Sequence, residues 1–271
     1  MSVASVAQTN GERWAAEAAA AMQGVGLAER LATARRLVPG RLVLTTSFGL
    51  EDQAITHALA ASPLDIDVVT LDTGRLFPET AELWAETEER YLRRIRPFIP
   101  ERDALEALVA DQGINGFRLS VQARKSCCFV RKVEPLGRAL AGAAGWITGL
   151  RAEQSEARAG VPLAAFDAGY GLIKINPLAD WTRDEVAAYV AENRVPYNPL
   201  HDRGYPSIGC APCTRAVRVG EPERAGRWWW ESQSKKECGL HLDPAADRPD
   251  VTELPPADAW AARGPARFEP A

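Results

Sequence analysis

The sequence predicts an α/β fold with an open, mostly parallel sheet, helices on both faces and an irregular C-terminal segment. Short apolar, β-branched runs alternate with helical patterns along most of the chain, which is typical of parallel strands joined by helical crossovers. Strands are expected at residues 41–47, 65–71, 94–99, 146–150 and 172–175. Regular periodicity ends near Pro196. We therefore expect one α/β domain over residues 1–230 and a mobile segment over residues 231–271.

Helical patterns fill the intervals between these strands. After a loose polar start at residues 1–10, the alanine-rich stretch 11–37 predicts two short helices separated at Gly24 to Gly26. Further helices are expected up to about residue 61, over 78–91, near 103–111 and around Cys127, with Pro135 as a kink or break. The capping box of Thr182 and Glu185 predicts a last helix that ends near Asn193.

The composition narrows the classes of partner. The 271 residues are 46% hydrophobic and 25% charged, which is ordinary for a globular protein. A net charge of −4 gives no overall attraction to nucleic acid, and no apolar run approaches the roughly 18 residues of a membrane span. Five cysteines, an odd number, suit metal or redox chemistry in a reducing compartment better than a set of disulfides. We expect a cytoplasmic protein without a nucleic-acid or membrane partner.

Four of the cysteines form two pairs. Cys127 and Cys128 are adjacent, and they cannot easily bridge each other because consecutive Cα atoms lie about 3.8 Å apart, against the roughly 5.5 Å that a disulfide prefers. Cys210 and Cys213 form a C-x-x-C turn, in which both sulfurs can point at one centre. The two pairs predict a closed site of four thiolates, as in zinc and iron–sulfur proteins. The alternative is that each cysteine is a small buried apolar residue.

The fifth cysteine, Cys238, lies in a basic stretch of sequence. Lys235, Lys236 and His241 would favour its thiolate and hence nucleophilic chemistry, although at least one of them can simply be a solvated charge. Gly239 follows the cysteine, and no helix or strand pattern spans this stretch. The sequence therefore predicts a reactive cysteine on a mobile segment.

Polar turns follow three of the predicted strands. They are Ser47 to Gly49, Asp72 to Gly74, and Thr148 to Ser155 with Arg151 within it. Ligands of open parallel sheets bind beyond the carboxyl ends of the strands, so these turns predict a nucleotide site for phosphate or sulfate. Ordinary glycine turns and a solvated arginine are the alternative. Arg224 and Arg227, beside three tryptophans, are a second candidate for anion binding, or else a helix face with its stems packed on aromatic rings.

With these pieces placed, the chain resembles the assimilatory sulfonucleotide reductases, specifically the iron–sulfur type that reduces adenosine 5′-phosphosulfate (APS). The resemblance extends from about Arg41 to His241. It rests on the motifs Ser47-Phe48-Gly49-Leu50-Glu51-Asp52, Leu71-Asp72-Thr73-Gly74-Arg75-Leu76-Phe77-Pro78-Glu79-Thr80, Cys127-Cys128, Thr148-Gly149-Leu150-Arg151, Cys210-x-x-Cys213, Arg224-Ala225-Gly226-Arg227-Trp228-Trp229 and Glu237-Cys238-Gly239-Leu240-His241.

The resemblance implies an adenine-nucleotide α-hydrolase-like, Rossmann-like fold and an oxidoreductase of sulfate assimilation and cysteine biosynthesis. It implies a [4Fe–4S] cluster on the four paired cysteines, which acts either structurally or electrostatically, with Lys132 able to couple the charge of the cluster to the substrate. It also implies thioredoxin as the electron donor and Cys238 as the nucleophile that forms a thiosulfonate; a homo-oligomer is left open. The expected substrate-binding residues are Ser47, Gly49, Asp72, Thr73, Gly74, Arg151, Arg224, Arg227 and His241.

Three other functions would account for part of the sequence. A reductase of the 3′-phosphorylated substrate usually lacks the four cluster cysteines. An iron–sulfur tRNA-thiolating enzyme would need a pyrophosphate loop like Ser-Gly-Gly-x-Asp-Ser and a basic RNA-binding face, but the chain has Ser47-Phe48-Gly49-Leu50-Glu51-Asp52 at that loop. A non-catalytic zinc module would leave Cys238 unexplained. We therefore expect thioredoxin-dependent reduction of APS to sulfite and AMP.

Overall fold

The computed structural model describes residues 3–62, 64–231 and 240. Its helices are α1 (Val3–Ala21), α2 (Leu27–Leu37), α3 (Leu50–Ala60), α4 (Pro78–Tyr91), α5 (Arg102–Gln112), α6 (Val121–Cys128), α7 (Glu134–Leu140) and α8 (Arg183–Glu192). Its strands are β1 (Leu42–Thr46), β2 (Asp67–Leu71), β3 (Arg96–Phe98), β4 (Gly145–Ile147), β5 (Ala164–Asp167) and β6 (Leu172–Ile175).

The six strands form one sheet in the order β3-β2-β1-β4-β6-β5. β1 lies between β2 and β4 and is parallel to both, and the pairs β2·β3 and β4·β6 are parallel as well. Only β5, at the edge, is antiparallel to its neighbour. The predicted α/β fold with a mostly parallel sheet is confirmed. The strand order reverses between β1 and β4, so a cleft is expected beyond their carboxyl ends.

Alternating side chains of β1 face two different cores. Leu42 and Leu44 pack into the larger core, together with residues of α1, α2, α3 and α8. Val43 points to the opposite face and packs against α7 in the smaller core. Because successive side chains of a strand point to opposite faces, the apolar run of β1 is explained by helices on both sides of the sheet.

Three details differ from the sequence prediction. The expected loose start at residues 1–10 is wrong, because α1 already begins at Val3. Strand β5 was not predicted, since its sequence Ala-Ala-Phe-Asp has no β-branched residue. The chain does not break at Pro135 itself: a π-helical turn, Phe129–Val133, joins α6 to α7, and Pro135 lies in the first turn of α7, where its missing N–H is tolerated.

After α8 the described chain contains two short 3-10 turns, His201–Arg203 and Ala211–Cys213, and an isolated bridge between Thr214 and Arg227. This agrees with the expected loss of periodicity from Pro196. The boundary expected after residue 230 remains a prediction, because residues 232–239 and 241–271 lie outside the described part of the chain. No helix within the described residues is long and apolar enough to cross a membrane.

Candidate active site

A pocket lies at the carboxyl ends of β1, β2 and β4, where the strand order reverses. The turns after these strands form its floor, and the chain from His201 to Arg227 and residue Leu240 form its opposite wall. Of the residues that the sequence predicted for substrate binding, this pocket is lined by Ser47, Gly49, Thr73, Arg224 and Arg227. The geometry thus brings residues that are up to 180 positions apart into one cleft.

The turn after β1 is fixed by a buried carboxylate. Asp52, in the first turn of α3, accepts hydrogen bonds from both the backbone N and the Oγ of Ser47, each at 2.7 Å. Burial raises the pKa of Asp52 to about 6, against the opposing effect of these hydrogen bonds. A Cβ atom at Gly149 would lie 2.4 Å from Asp52 Oδ1, so only glycine allows the β4 turn to approach this closely. The turns after β1 and β4 are therefore held against each other.

The turn after β2 connects the pocket to the cysteines. Asp72 Oδ1 accepts a hydrogen bond from Gly74 N at 2.9 Å, which stabilises the turn, and neither residue lines the pocket. Thr73 is buried between them and does line the pocket. The Cys210 thiol lies 3.3 Å from the Thr73 hydroxyl. This turn therefore contacts both the pocket and the C-x-x-C turn.

Arg151 is placed differently from the other predicted anion ligands. Its side chain is fully buried and does not line the pocket. Its Nε lies 2.8 Å from Glu51, and its two terminal nitrogens lie 3.1 Å from Glu153 and 3.2 Å from Glu223. Each of the three guanidinium nitrogens therefore contacts a carboxylate of the chain.

Arg224 and Arg227 reach the pocket from the segment that follows the C-x-x-C turn. Arg227 is only 6% exposed, and its guanidinium carbon lies 4.8 Å from the centre of the Trp228 ring. A Cβ atom at Gly209 would lie 2.2 Å from Arg227 Nη2, so the guanidinium position depends on glycine there. The two arginines provide planar donors suited to phosphate or sulfate oxygens.

The four paired cysteines meet in one buried cavity beside this pocket. The C-terminal end of α6 provides Cys127 and Cys128, and the 3-10 turn at Ala211–Cys213 provides Cys210 and Cys213. Three of the thiols are buried and Cys127 is partly buried, and the aromatic rings of Phe117 and Trp228 close the cavity. Within the described residues, no three or more Cys, His, Asp or Glu side chains are arranged to hold a metal ion directly.

Burial and neighbouring charges act in opposite directions on these thiols. Burial raises the pKa of the Cys213 thiol to about 11, and the neighbouring Cys210 adds to the effect. Burial also acts to raise the pKa of Cys210, but Lys132, the Thr73 hydroxyl and Arg227 outweigh it, so that this pKa lies below its usual value. The cavity is therefore an apolar space with a cationic surround.

Lys132, Cys210 and Arg227 line both the pocket and the cysteine cavity. Lys132 lies on the π-helical turn, which follows Cys128 directly. Arg131, on the same turn, donates a hydrogen bond to the Thr73 carbonyl at 2.6 Å. The π-helical turn thus directs two consecutive cations toward the cysteines and the β2 turn.

Two predicted residues, Cys238 and His241, lie outside the described residues, as do Lys235 and Lys236. Sequence reasoning did not single out Gly209, Glu223 or His201, and all three line the pocket. The first of these had a visible signal, since a glycine directly before the C-x-x-C turn allows close approach of another group. The imidazole Nδ1 of His201 lies 2.9 Å from the Tyr205 carbonyl, and burial lowers the pKa of this histidine.

Comparison with known proteins assigns the chain to a class. A profile of the phosphoadenosine phosphosulfate reductase domain matches residues 41–216, and the chain belongs to this family. A crystal structure of phosphoadenylyl-sulfate (PAPS) reductase from Candida auris, a phosphate complex, superposes with a TM-score of 0.64 at 28% identity. The match covers 74% of this chain and 95% of that one.

The curated relatives are more similar in sequence. The adenosine 5′-phosphosulfate reductase of Agrobacterium fabrum is 57% identical over 247 residues, which cover 91% of this chain and 95% of that protein. The adenosine 5′-phosphosulfate reductase of Allochromatium vinosum is 56% identical over 207 residues, or 76% of this chain and 81% of that protein. The resemblance found in the motifs therefore holds over most of the chain.

Proposed function

We propose that the protein is an oxidoreductase that reduces APS to sulfite and AMP in sulfate assimilation, with thioredoxin as the electron donor. The observation that carries this proposal is the junction of the two cavities, where Lys132, Cys210 and Arg227 face both spaces. A nucleotide bound at the strand ends would place its anionic end at this cationic junction. The similarity to proteins named adenosine 5′-phosphosulfate reductase supports the choice of substrate.

Arg224 and Arg227 are proposed to bind the phosphate and sulfate oxygens of the substrate. Ser47 and Gly49 would line the nucleotide site from the β1 turn, and Thr73 from the β2 turn. Asp72 and Gly74 would shape the latter turn without touching the ligand, since the Asp72 carboxylate is bonded to the Gly74 backbone. His241 keeps its predicted role as a substrate ligand.

The proposed nucleophile is Cys238. Its thiolate would attack the sulfur of the sulfate group, forming a sulfur–sulfur bond as the bond to the AMP oxygen breaks. A thioredoxin thiolate would then attack the Cys238 sulfur and release sulfite, and the second thioredoxin thiol would resolve the mixed disulfide. The two electrons come from the thioredoxin dithiol, so the balance needs no other reductant.

The described residue Leu240 supports this assignment of the nucleophile. Leu240 lines the pocket and packs beside the smaller core. It follows Cys238 by two positions in the sequence, and this closeness along the chain supports Cys238 as the nucleophile.

The cysteine cavity fits a [4Fe–4S] cluster held by Cys127, Cys128, Cys210 and Cys213. Four thiolates suit iron, and the cluster with its ligands is an anion, for which Lys132, Arg124 and Arg131 provide a cationic surround. The Nε atoms of Arg131 and Arg227 are buried and have no hydrogen-bond partner among the described residues. The sulfur atoms of a bound cluster could accept hydrogen bonds from them. When bound, the cluster would tie α6 to the C-x-x-C turn and contribute fixed charge beside Lys132.

The proposed substrate is tested by competition between APS and its 3′-phosphorylated analogue, with thioredoxin present and sulfite release as the readout. We expect the higher kcat/KM for APS. A higher kcat/KM for the 3′-phosphorylated form would replace the proposed substrate, and no sulfite from either would overturn the proposed function.

We propose that the reaction takes place in the cytoplasm, because it depends on thioredoxin and on cysteines that stay reduced.

A further inference from the structure

The buried cluster around Arg151 is unsuited to binding an anion. The guanidinium group faces the carboxylates of Glu51, Glu153 and Glu223, at 2.8, 3.1 and 3.2 Å. Arg183 adds a second cation at 3.6 Å from Glu223. Three negative charges against two positive ones leave this region without spare positive charge for a phosphate or sulfate group.

The carboxylates held by Arg151 belong to separate walls of the pocket. Glu51 is in the first turn of α3, four positions after Ser47, and lines the pocket. Glu223 also lines the pocket and directly precedes Arg224. Arg151 itself follows β4. A single side chain therefore cross-links the turn after β1, the loop after β4 and the segment that carries both pocket arginines.

The segment from Glu221 to Arg227 needs such a cross-link. It contains no helix and no strand, and its one β-bridge pairs Arg227 with Thr214. Its position therefore depends on contacts with the rest of the fold. An ion pair between Glu221 and Arg215, at 2.8 Å, joins the segment to the chain six positions before it. The pair of Glu223 with Arg151 instead attaches it to the sheet.

We infer that Arg151 is a positioning residue, which holds Arg224 at the pocket by joining Glu223 to Glu51 and does not itself bind the substrate. The inference rests on the proposed function, because it takes Arg224 to be a phosphate ligand. It predicts that the effect of changing Arg151 on ligand affinity passes through Arg224. A direct ligand or a general contributor to stability would act independently of Arg224.

The test is a double-mutant cycle on the full chain, with the dissociation constant of AMP measured by calorimetry. AMP carries the phosphate group and cannot react with a thiol. Arg151→Lys keeps the charge but replaces three spaced nitrogens by one, which cannot reproduce the separate contacts to the three carboxylates, and we expect it to weaken AMP binding about tenfold in the otherwise unaltered protein. In an Arg224→Ala background the same change should alter the affinity less than about twofold.

Additive effects of the two changes, or an unaltered affinity in Arg151→Lys, would overturn the inference. Glu223→Gln provides a second cycle with Arg224→Ala if Arg151→Lys does not fold, and the same non-additivity is expected. Glu153→Gln is the matched control, because Glu153 also contacts Arg151 but is 55% exposed and does not line the pocket.

We expect Glu153→Gln to change the affinity for AMP less than about twofold. An effect as large as that of Glu223→Gln would mean that the whole charge cluster acts through stability, and would overturn the inference. Failure of the unaltered chain to bind AMP would instead overturn the proposed function, and with it this inference.

Discussion

The position of the Arg227 guanidinium group depends on the absence of a Cβ atom at Gly209. Because a Cβ atom at this position would come within 2.2 Å of Arg227 Nη2, Gly209→Ala must displace the guanidinium group. We expect about a tenfold loss of affinity for AMP, measured by calorimetry, with the fold retained. Gly160→Ala is the matched control, since nothing lies within 4 Å of its Cβ position. Equal affinities of the two variants would show that Arg227 does not bind the ligand.

Asp52 gives the protein a specific dependence of stability on pH. Its pKa is about 6 in the folded protein, against an ordinary value of 3.8, so between these pH values the folded state binds more protons than the unfolded state. The free energy of unfolding should therefore fall as pH rises from 4 to 7. Between pH 4 and 7 the free energy of unfolding should fall by about 2 to 3 kcal/mol more than that of Asp52→Asn, in which residue 52 cannot titrate. Denaturant unfolding at each pH measures this difference. Parallel curves for the two proteins would contradict this.

At this scale the sequence indicates which residues to consider but not what each of them contacts. The cysteines and the strand-end residues Ser47 and Thr73 could be chosen because their residue types and positions in the motifs carry the information. The sequence predicted Arg151 as a substrate ligand, but it could not show that three carboxylates surround this side chain. Glu51 and Glu223 are 100 and 72 positions away, and only the folded chain brings both to one guanidinium group.

Among the elements, α8 was predicted from its capping box, and the box is present in the structure. Thr182 Oγ1 accepts a hydrogen bond from Glu185 N at 3.1 Å, and the Glu185 carboxylate accepts one from Thr182 N at 2.6 Å. Thr182→Ala should lower the free energy of unfolding by about 1 kcal/mol, because one N–H at the helix start loses its partner. Denaturant unfolding measures this loss. Since Thr182 does not line the pocket, weaker AMP binding in this variant would contradict the assignment of the site.

The π-helical turn Phe129–Val133 could not be predicted from the apolar periodicity of the sequence. The apolar spacing through Val130, Val133, Leu136 and Leu140 predicted a helix, and the chain is helical there. One turn of π-helix rotates α6 about the helix axis relative to α7. The apolar spacing in the sequence changes too little to reveal this rotation. That turn places Arg131 and Lys132 beside the cysteines, which is why their geometry had to come from the structure.

In the whole molecule, two cavities share one cationic wall, and we propose that one holds the substrate and the other an iron–sulfur cluster. Replacing Cys127, Cys128, Cys210 or Cys213 by serine should remove iron and sulfide and abolish the visible absorbance of anaerobically purified protein. Cys238→Ser should leave the absorbance and the iron content intact. A fully coloured and active serine variant at any of the four positions would contradict the cluster assignment, and zinc in place of iron would do so as well.

The overall architecture was predictable because β1, β2, β4 and β6 are short apolar runs, and polar turns follow the first three of them. The carboxyl ends of these strands meet at one edge of a parallel sheet, so the position of the pocket followed from the fold class. The wall formed by residues 201–227 was not predictable, since its path depends on tertiary contacts and on no regular element.

The central claim is that Cys238 takes the sulfonate group from APS, and mass spectrometry of trapped protein tests it most directly. Protein incubated with APS in the absence of thioredoxin should gain the mass of one SO₃ group on the peptide that contains Cys238. Cys238→Ser should form no adduct and release no sulfite when thioredoxin is added. An adduct on another cysteine, or turnover by the serine variant, would contradict the account.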